Sequence, residues 1–261
     1  MSPADLMMPG ATPLLAVAAA AVFLLAGVIK GVVGLGLPTI SMALLALIMA
    51  PAQAAALLVV PSLVTNLWQA RPAATFGPIW RRIAGMQAGA CAGTLAGAWW
   101  LGAPSGAWAG ACLGVALVLY AAWGLFGSPP AIPARREGAL GLAVGVATGL
   151  VTAATGVFVI PAVPYLQALN LGKDGLIQAM GISFSVSTLA LAAGLWLNGS
   201  YGADTAGASL LMLLPALLGM GLGQWLRGRL SPRVFKLCFM ASLALLGIYQ
   251  VVQGLAGAGH S

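Results

Sequence analysis

Long apolar runs, punctuated by Gly, Pro and short basic clusters, make up most of this chain. The runs cover about 12–33, 52–70, 83–101, 106–126, 138–157, 175–197, 206–226 and 234–256. Each is long enough to cross about 30 Å of hydrocarbon as a helix. Two shorter runs, 38–50 and 158–171, hold 13 and 14 residues. At 1.5 Å per residue they reach only about 20 Å, so they read as half-helices, re-entrant arms or broken spans. Gly34-Leu35-Gly36-Leu37-Pro38 precedes the first, and Thr155-Gly156 with Pro161 and Pro164 marks the second. The pattern predicts an all-α polytopic membrane protein with eight long spans and two short broken or re-entrant helices. Residues 1–261 form a single membrane domain with two halves, 12–126 and 138–256, joined by a Pro-rich, basic linker at 127–137. Each half has five segments, the second of them short. An odd number of crossings per half turns the second copy upside down. Inverted repeats with paired broken helices point to a secondary transporter whose solute site lies near the midplane.

Composition reinforces the class. Only 6% of the 261 residues are charged and 61% are apolar, against about 25% charged in soluble domains. A water-soluble monomer is excluded. The acids are Asp5, Glu137, Asp174 and Asp204, and the one histidine is His260. They form no zinc set, carboxylate pair or Ser-His-Asp relay, so no catalytic residues, metal site or cofactor are expected. Asp174 reads as a helix N-cap. Cys91, Cys112 and Cys238 each sit in an apolar run and read as buried packing residues. The N-terminal stretch lacks the basic region of a signal peptide.

The net charge of +7 acquires meaning once placed on the spans. Basic residues fall at Lys30 and in the connections 70–82, 127–137, 171–174 and 227–236. The connections 102–105 and 198–205 carry none. Ten alternating segments starting outside put all eleven Lys/Arg on the cytoplasmic side and both termini outside. The charge is thus a topology signal of an inner-membrane protein in a lipid bilayer, with no nucleic-acid partner implied. The eight Trp lie near segment ends, as interface anchors do.

Uncharged polar residues then mark a candidate site. Ser62, Thr65, Asn66 and Gln69 share one helical face by their i, i+3, i+4, i+7 spacing. Ser183 and Ser187 do the same in the second half, with Ser185 and Thr188 nearby. Such groups donate hydrogen bonds to a small oxyanion, or bond back to their own helix and hold neighbours together. Lys30, embedded in an apolar run, either faces the site or snorkels to the nearby interface. Gly34 and Gly36, and Thr152, Thr155 and Gly156, form the two breaks, where backbone N–H groups could meet an anion. Gln178 opens the second polar stretch. Glycines at 85, 89, 93 and 97, at 106, 110 and 114, and at 141, 145 and 149 recur at i+4. They predict close helix contacts, within the bundle or at a homodimer seam.

Taken together, these residues resemble the sulfite exporter TauE/SafE family, also called the toluene-sulfonate uptake permeases. The resemblance covers nearly the whole chain. It is carried by the Gly31-to-Pro38 turn, Pro51 with Ala54-Ala55, Pro61-to-Gln69, Thr155-to-Leu166, Gln178-Ala179 and Ser183-to-Thr188. It implies a permease or exporter for sulfite, an organosulfonate or a related organic acid. The polar faces and breaks agree with a carrier working by alternating access. An anion channel, or a membrane assembly protein that transports nothing, are the rival readings.

Overall fold

A computed structural model describes residues 13–129, 132–229 and 231–258; Asp5 and His260 lie outside these. Among the described residues the regular structure is helical, in ten α-helices. They are α1 (Pro13–Val33), α2 (Leu37–Leu45), α3 (Pro51–Gln69), α4 (Ala73–Leu101), α5 (Gly106–Phe126), α6 (Glu137–Thr155), α7 (Ala162–Ala168), α8 (Gly172–Leu197), α9 (Ala203–Arg227) and α10 (Pro232–Ala258). Seven are long and apolar enough to cross a membrane, making this a multi-pass membrane protein. The eighth long helix, α4, is rich in Gly and carries Gln87 mid-helix, which lowers its hydropathy below that of the other seven.

The two short segments are genuine half-helices. α2 has nine residues and α7 has seven, about 14 and 10 Å of helix. Both are embedded in the core: in α2 only Leu44 is not fully buried. Local chemistry explains the breaks. Gly34 and Gly36 have φ of +83° and +112°, and Gly156 has φ of +71°. This left-handed region ends α1 and α6 at little cost only for glycine. The Gly34 N–H donates to the Lys30 carbonyl, and the Gly156 N–H to that of Thr152. Gly34 and Gly156 thus end their helices in the same way. Gly36 opens α2 instead, as its N-cap.

Packing pairs helices across the two halves. α4 lies along α6, α9 along α1, and α5 along α10. The i+4 glycines make these seams. A Cβ on Gly89 or Gly93 would strike the Leu142 or Val146 carbonyl, and one on Gly145 or Gly149 would strike that of Met86 or Ala90. Gly27 and Gly31 meet α9 the same way, and Gly114 meets Gly247. The 85–97 and 145–149 faces pack against each other within the bundle. Contacts along α4–α6 and α1–α9 advance together in residue number, so each pair runs parallel.

Following the helices alternately through the bundle gathers the basic connections at one end. There Arg82 makes a two-pronged ion pair with Glu137 (2.9 and 2.7 Å), and Arg71 and Arg229 lie over Trp68 and Trp225. Trp99, Trp100 and Trp196 are exposed towards the opposite end. Two expectations are corrected. Cys112 and Cys238 are exposed on the outer surface, Cys91 partly so, because a small apolar side chain is at home facing lipid. Asp174 lies inside the first turn of α8, where Leu171 is the N-cap and no side chain caps it.

The seam geometry sets a mutational contrast. Gly145→Val should destabilise the detergent-solubilised protein by about 1–3 kcal/mol or abolish folding, whereas Gly110→Ala, with open space around it, should stay within about 0.5 kcal/mol. Thermal unfolding monitored by size-exclusion chromatography measures both.

Candidate functional site

α3 carries the first polar face, and Pro61 shapes it. Proline has no N–H, so the Leu57 carbonyl loses its helical partner. Ser209 of α9 supplies one: its hydroxyl donates to the Leu57 carbonyl (2.8 Å) and accepts from the Val60 N–H (3.0 Å). A buried hydroxyl from another helix thus completes the backbone at the bend.

One turn further on, a chain of side-chain hydrogen bonds crosses between the halves. Lys30 Nζ of α1 donates to Asn66 Oδ1. Asn66 Nδ2 donates to Ser62 Oγ (3.1 Å), and Ser62 lies 3.2 Å from Thr188 Oγ1 of α8. Thr188 spends its own proton on the Phe184 carbonyl (2.6 Å), so Ser62 is the donor to Thr188. All the bonds run in one direction, away from the lysine. Lys30, Ser62, Asn66 and Thr188 are buried, Lys30 to 3% exposure. No carboxylate among the described residues pairs with Lys30; Glu137 is taken by Arg82, between α4 and α6. An ammonium held in an apolar interior without a counter-ion is costly, and Asn66 takes only one of its three protons.

Gln69, at the end of the same face, reaches back to the first break: Nε2 donates to the Gly34 carbonyl (2.5 Å). Beside it opens a cavity of about 380 Å³ lined by Lys30, Gly34, Trp68, Gln69, Gln224 and Arg227, among others. Lys30 thus stands between the buried chain and a cavity at the basic end. It does not simply snorkel into solvent.

The remaining sequence candidates are placed differently. Thr65 bonds back to the Pro61 carbonyl (2.7 Å) and Thr152 to that of Thr148 (2.7 Å). Thr155 bonds to the Val151 carbonyl and receives the Val157 N–H, bracing the second break. Gly156 lies against Met42 of α2 and Ala55 of α3, bringing the second break onto the first half. Gln178 bridges the α3–α4 connection, donating to the Ala70 and Pro72 carbonyls (2.8 and 2.6 Å) and accepting from Thr75 (2.5 Å). Ser183 turns away from α3 and accepts from Gln87 of α4 (2.9 Å). Ser187 is buried one residue before Thr188. The second-half member of the cluster is therefore Thr188. Gly36 packs near Ile29 and Phe239.

Sequence reading missed Ser209, Gln87 and Gln250. The last is 4% exposed on α10 and donates to the Ala43 carbonyl at the end of α2 (2.8 Å). The available signal was an isolated amide or hydroxyl inside an apolar run. No group of three or more metal-capable side chains occurs among the described residues.

Ser209→Ala should lower stability by about 1 kcal/mol, because two backbone groups of α3 lose their partner and membrane hydrogen bonds are worth about that much. Thermal unfolding of the purified variant checks it.

The comparisons with known proteins agree with this architecture. No curated relative and no solved structure matched the chain. The family model described as Sulfite exporter TauE/SafE matches residues 19–250. That span takes in both breaks, the Lys30–Asn66–Ser62–Thr188 chain and the cavity beside it, so the protein belongs to the TauE/SafE sulfite exporter family.

Proposed function

We infer that the protein is a secondary transporter carrying a small anion (sulfite, an organosulfonate or a related organic acid) across the inner membrane by alternating access. The observation that carries the reading is the buried, counter-ion-free Lys30, hydrogen-bonded to Asn66 and lining a cavity. A small anion is the chemistry that would compensate that charge inside the membrane. Lys30 and Asn66 would contact it, with Gln69 and the first break beside them. Ser62 and Thr188 orient Asn66 and have no proton to spare.

The two halves are read as inverted copies. In support, Gly34 and Gly156 end the first helix of each half in the same way, and the cross-half packing comes in matched pairs: α4–α6 with α9–α1, and α4–α8 with α9–α3. Under this correspondence Lys30 stands opposite Thr152, and Asn66 opposite Thr188, so only the first half supplies charge. The basic end is read as cytoplasmic, with both termini outside.

Uptake into liposomes containing the purified protein should saturate and show counterflow; unitary currents would mark a channel instead. Lys30→Met should lower flux by about 10–100-fold, the worth of a charged hydrogen bond. Thr152→Val should stay near wild type, because that hydroxyl serves its own helix. Undiminished flux in Lys30→Met would overturn the site.

For orientation, Cys91, Cys112 and Cys238 are first replaced by Ser. Ser200→Cys should then react with an impermeant maleimide added to intact cells, and Arg135→Cys only after permeabilisation. The opposite pattern would refute the topology.

A further inference from the structure

A much smaller cavity lies at the opposite end of the bundle from the one beside Lys30. Thr94 and Ala98 of α4, Ala153 of α6 and Leu191 of α8 line it, with Gly102 and Pro104 of the connection after α4. It holds about 10 Å³, the room of a single water, against about 380 Å³ beside Lys30. The two cavities are built alike. α1, α3 and α9 surround the open one, and α6, α8 and α4 the closed one. Each set comprises a broken helix, the helix that follows the half-helix, and the glycine-seam partner from the other half. Gly31 and Ala153 line them three residues before the glycine that ends their helix, and Gln69 and Leu191 thirty-five residues after it. The buried hydrogen-bond chain runs between them. Lys30 lines the open cavity, and Thr188, at the other end of the chain, stands one turn before Leu191 on α8.

Small side chains and one hydrogen bond keep the second cavity shut. A Cβ on Gly194 of α8 would lie 2.8 Å from that of Ala98, and one on Gly97 2.6 Å from that of Ala153. Asn198 Nδ2 of α8 donates to the Ala98 carbonyl (3.0 Å). That carbonyl also receives the Gly102 N–H (3.1 Å), so losing the Asn198 bond does not orphan it. Thr94 is 1% exposed and its hydroxyl has no partner. A buried hydroxyl left unpaired is costly, so the shut form carries a cost that hydration on opening removes.

We propose that the solute's outer opening lies between α4, α6 and α8, and that this structure is the form open at the basic end and shut at the other. Parting α8 from α4 there breaks one side-chain bond and a contact between small residues, and exposes Leu191. None of the described residues lining it is charged, so it serves as a passage and not as a second binding site. This rests on the reading of the protein as an alternating-access carrier built from inverted halves.

Two measurements test it, both on the full-length protein with Cys91, Cys112 and Cys238 replaced by Ser. In the first, Leu191→Cys is compared with Leu113→Cys of α5; both positions are buried. An impermeant maleimide added to intact cells should label Leu191→Cys at least about tenfold faster, because an outward-open form populated even at the per-cent level exposes it repeatedly. Equal rates overturn the assignment. In the second, Ala98→Cys with Gly194→Cys is reconstituted in liposomes and oxidised. The two Cβ atoms start within about 1 Å of the spacing a disulfide takes. Exchange of labelled methanesulfonate or 2-hydroxyethanesulfonate should stop on oxidation and return on reduction, so each sample is its own control. Sulfite is left out of this assay because it cleaves disulfides. Exchange that continues with the disulfide formed overturns the proposal. Where the cysteine pair does not fold, or neither sulfonate is carried, the labelling rates decide. Absence of saturable flux of sulfite and both sulfonates through the parent protein overturns the transport reading, and this inference with it.

Discussion

Inside a bilayer every backbone N–H and C=O must find a partner within the protein. This chain interrupts its helices repeatedly, and each interruption strands carbonyls. Side chains from other helices meet the demand. Ser209 serves Leu57 at the Pro61 bend, and Gln250 serves Ala43 at the end of α2. Gln69 serves Gly34, and Gln178 serves Ala70 and Pro72. Uncharged amides and hydroxyls suit the task, because they donate without bringing a charge into lipid. Much of the buried polarity that looks like solute chemistry is therefore structural. Subtracting it leaves Lys30, Asn66 and Gln69, together with the buried, unpartnered hydroxyls of Thr39, Ser41 and Thr94.

The same division separates what was legible in the sequence from what was not. Span number, the two half-helices and the basic end follow from hydropathy and charge, because the membrane imposes one period and one polarity. The α3 face was legible for the same reason: four polar side chains at i, i+3, i+4 and i+7 in an apolar run define a helix face that lipid cannot solvate. Its partner was not. Ser183 and Ser187 repeat the spacing, yet Ser183 turns to Gln87 and the cross-half contact comes from Thr188. Which face of α8 meets α3 depends on the rotation of one helix against another. That rotation is set by glycine seams and close backbone approach elsewhere in the bundle. Ser209 was hidden similarly, since nothing local ties it to a proline almost 150 residues earlier.

The halves of the chain differ in chemistry. The first carries Lys30 and Asn66; in the second, Thr152 and Thr188 bond to their own helices. The second half mainly supplies the wall and the support against which the first half's groups are oriented. Thr188 accepts from Ser62, which accepts from Asn66, which is thereby turned with its oxygen towards Lys30.

The parallel glycine seams have a mechanical consequence. α1 packs backbone to backbone on α9 from Leu24 to Gly31, and α4 on α6 from Met86 to Gly97, each pair drawing one helix from either half. Backbones this close cannot slide without lifting apart. Each such pair resists sliding as a unit, so the two halves of the chain are laced together and the bundle would yield first where the lacing is loose. Those places are the half-helices and the Pro61 bend, where a few replaceable side-chain bonds stand in for a continuous helix.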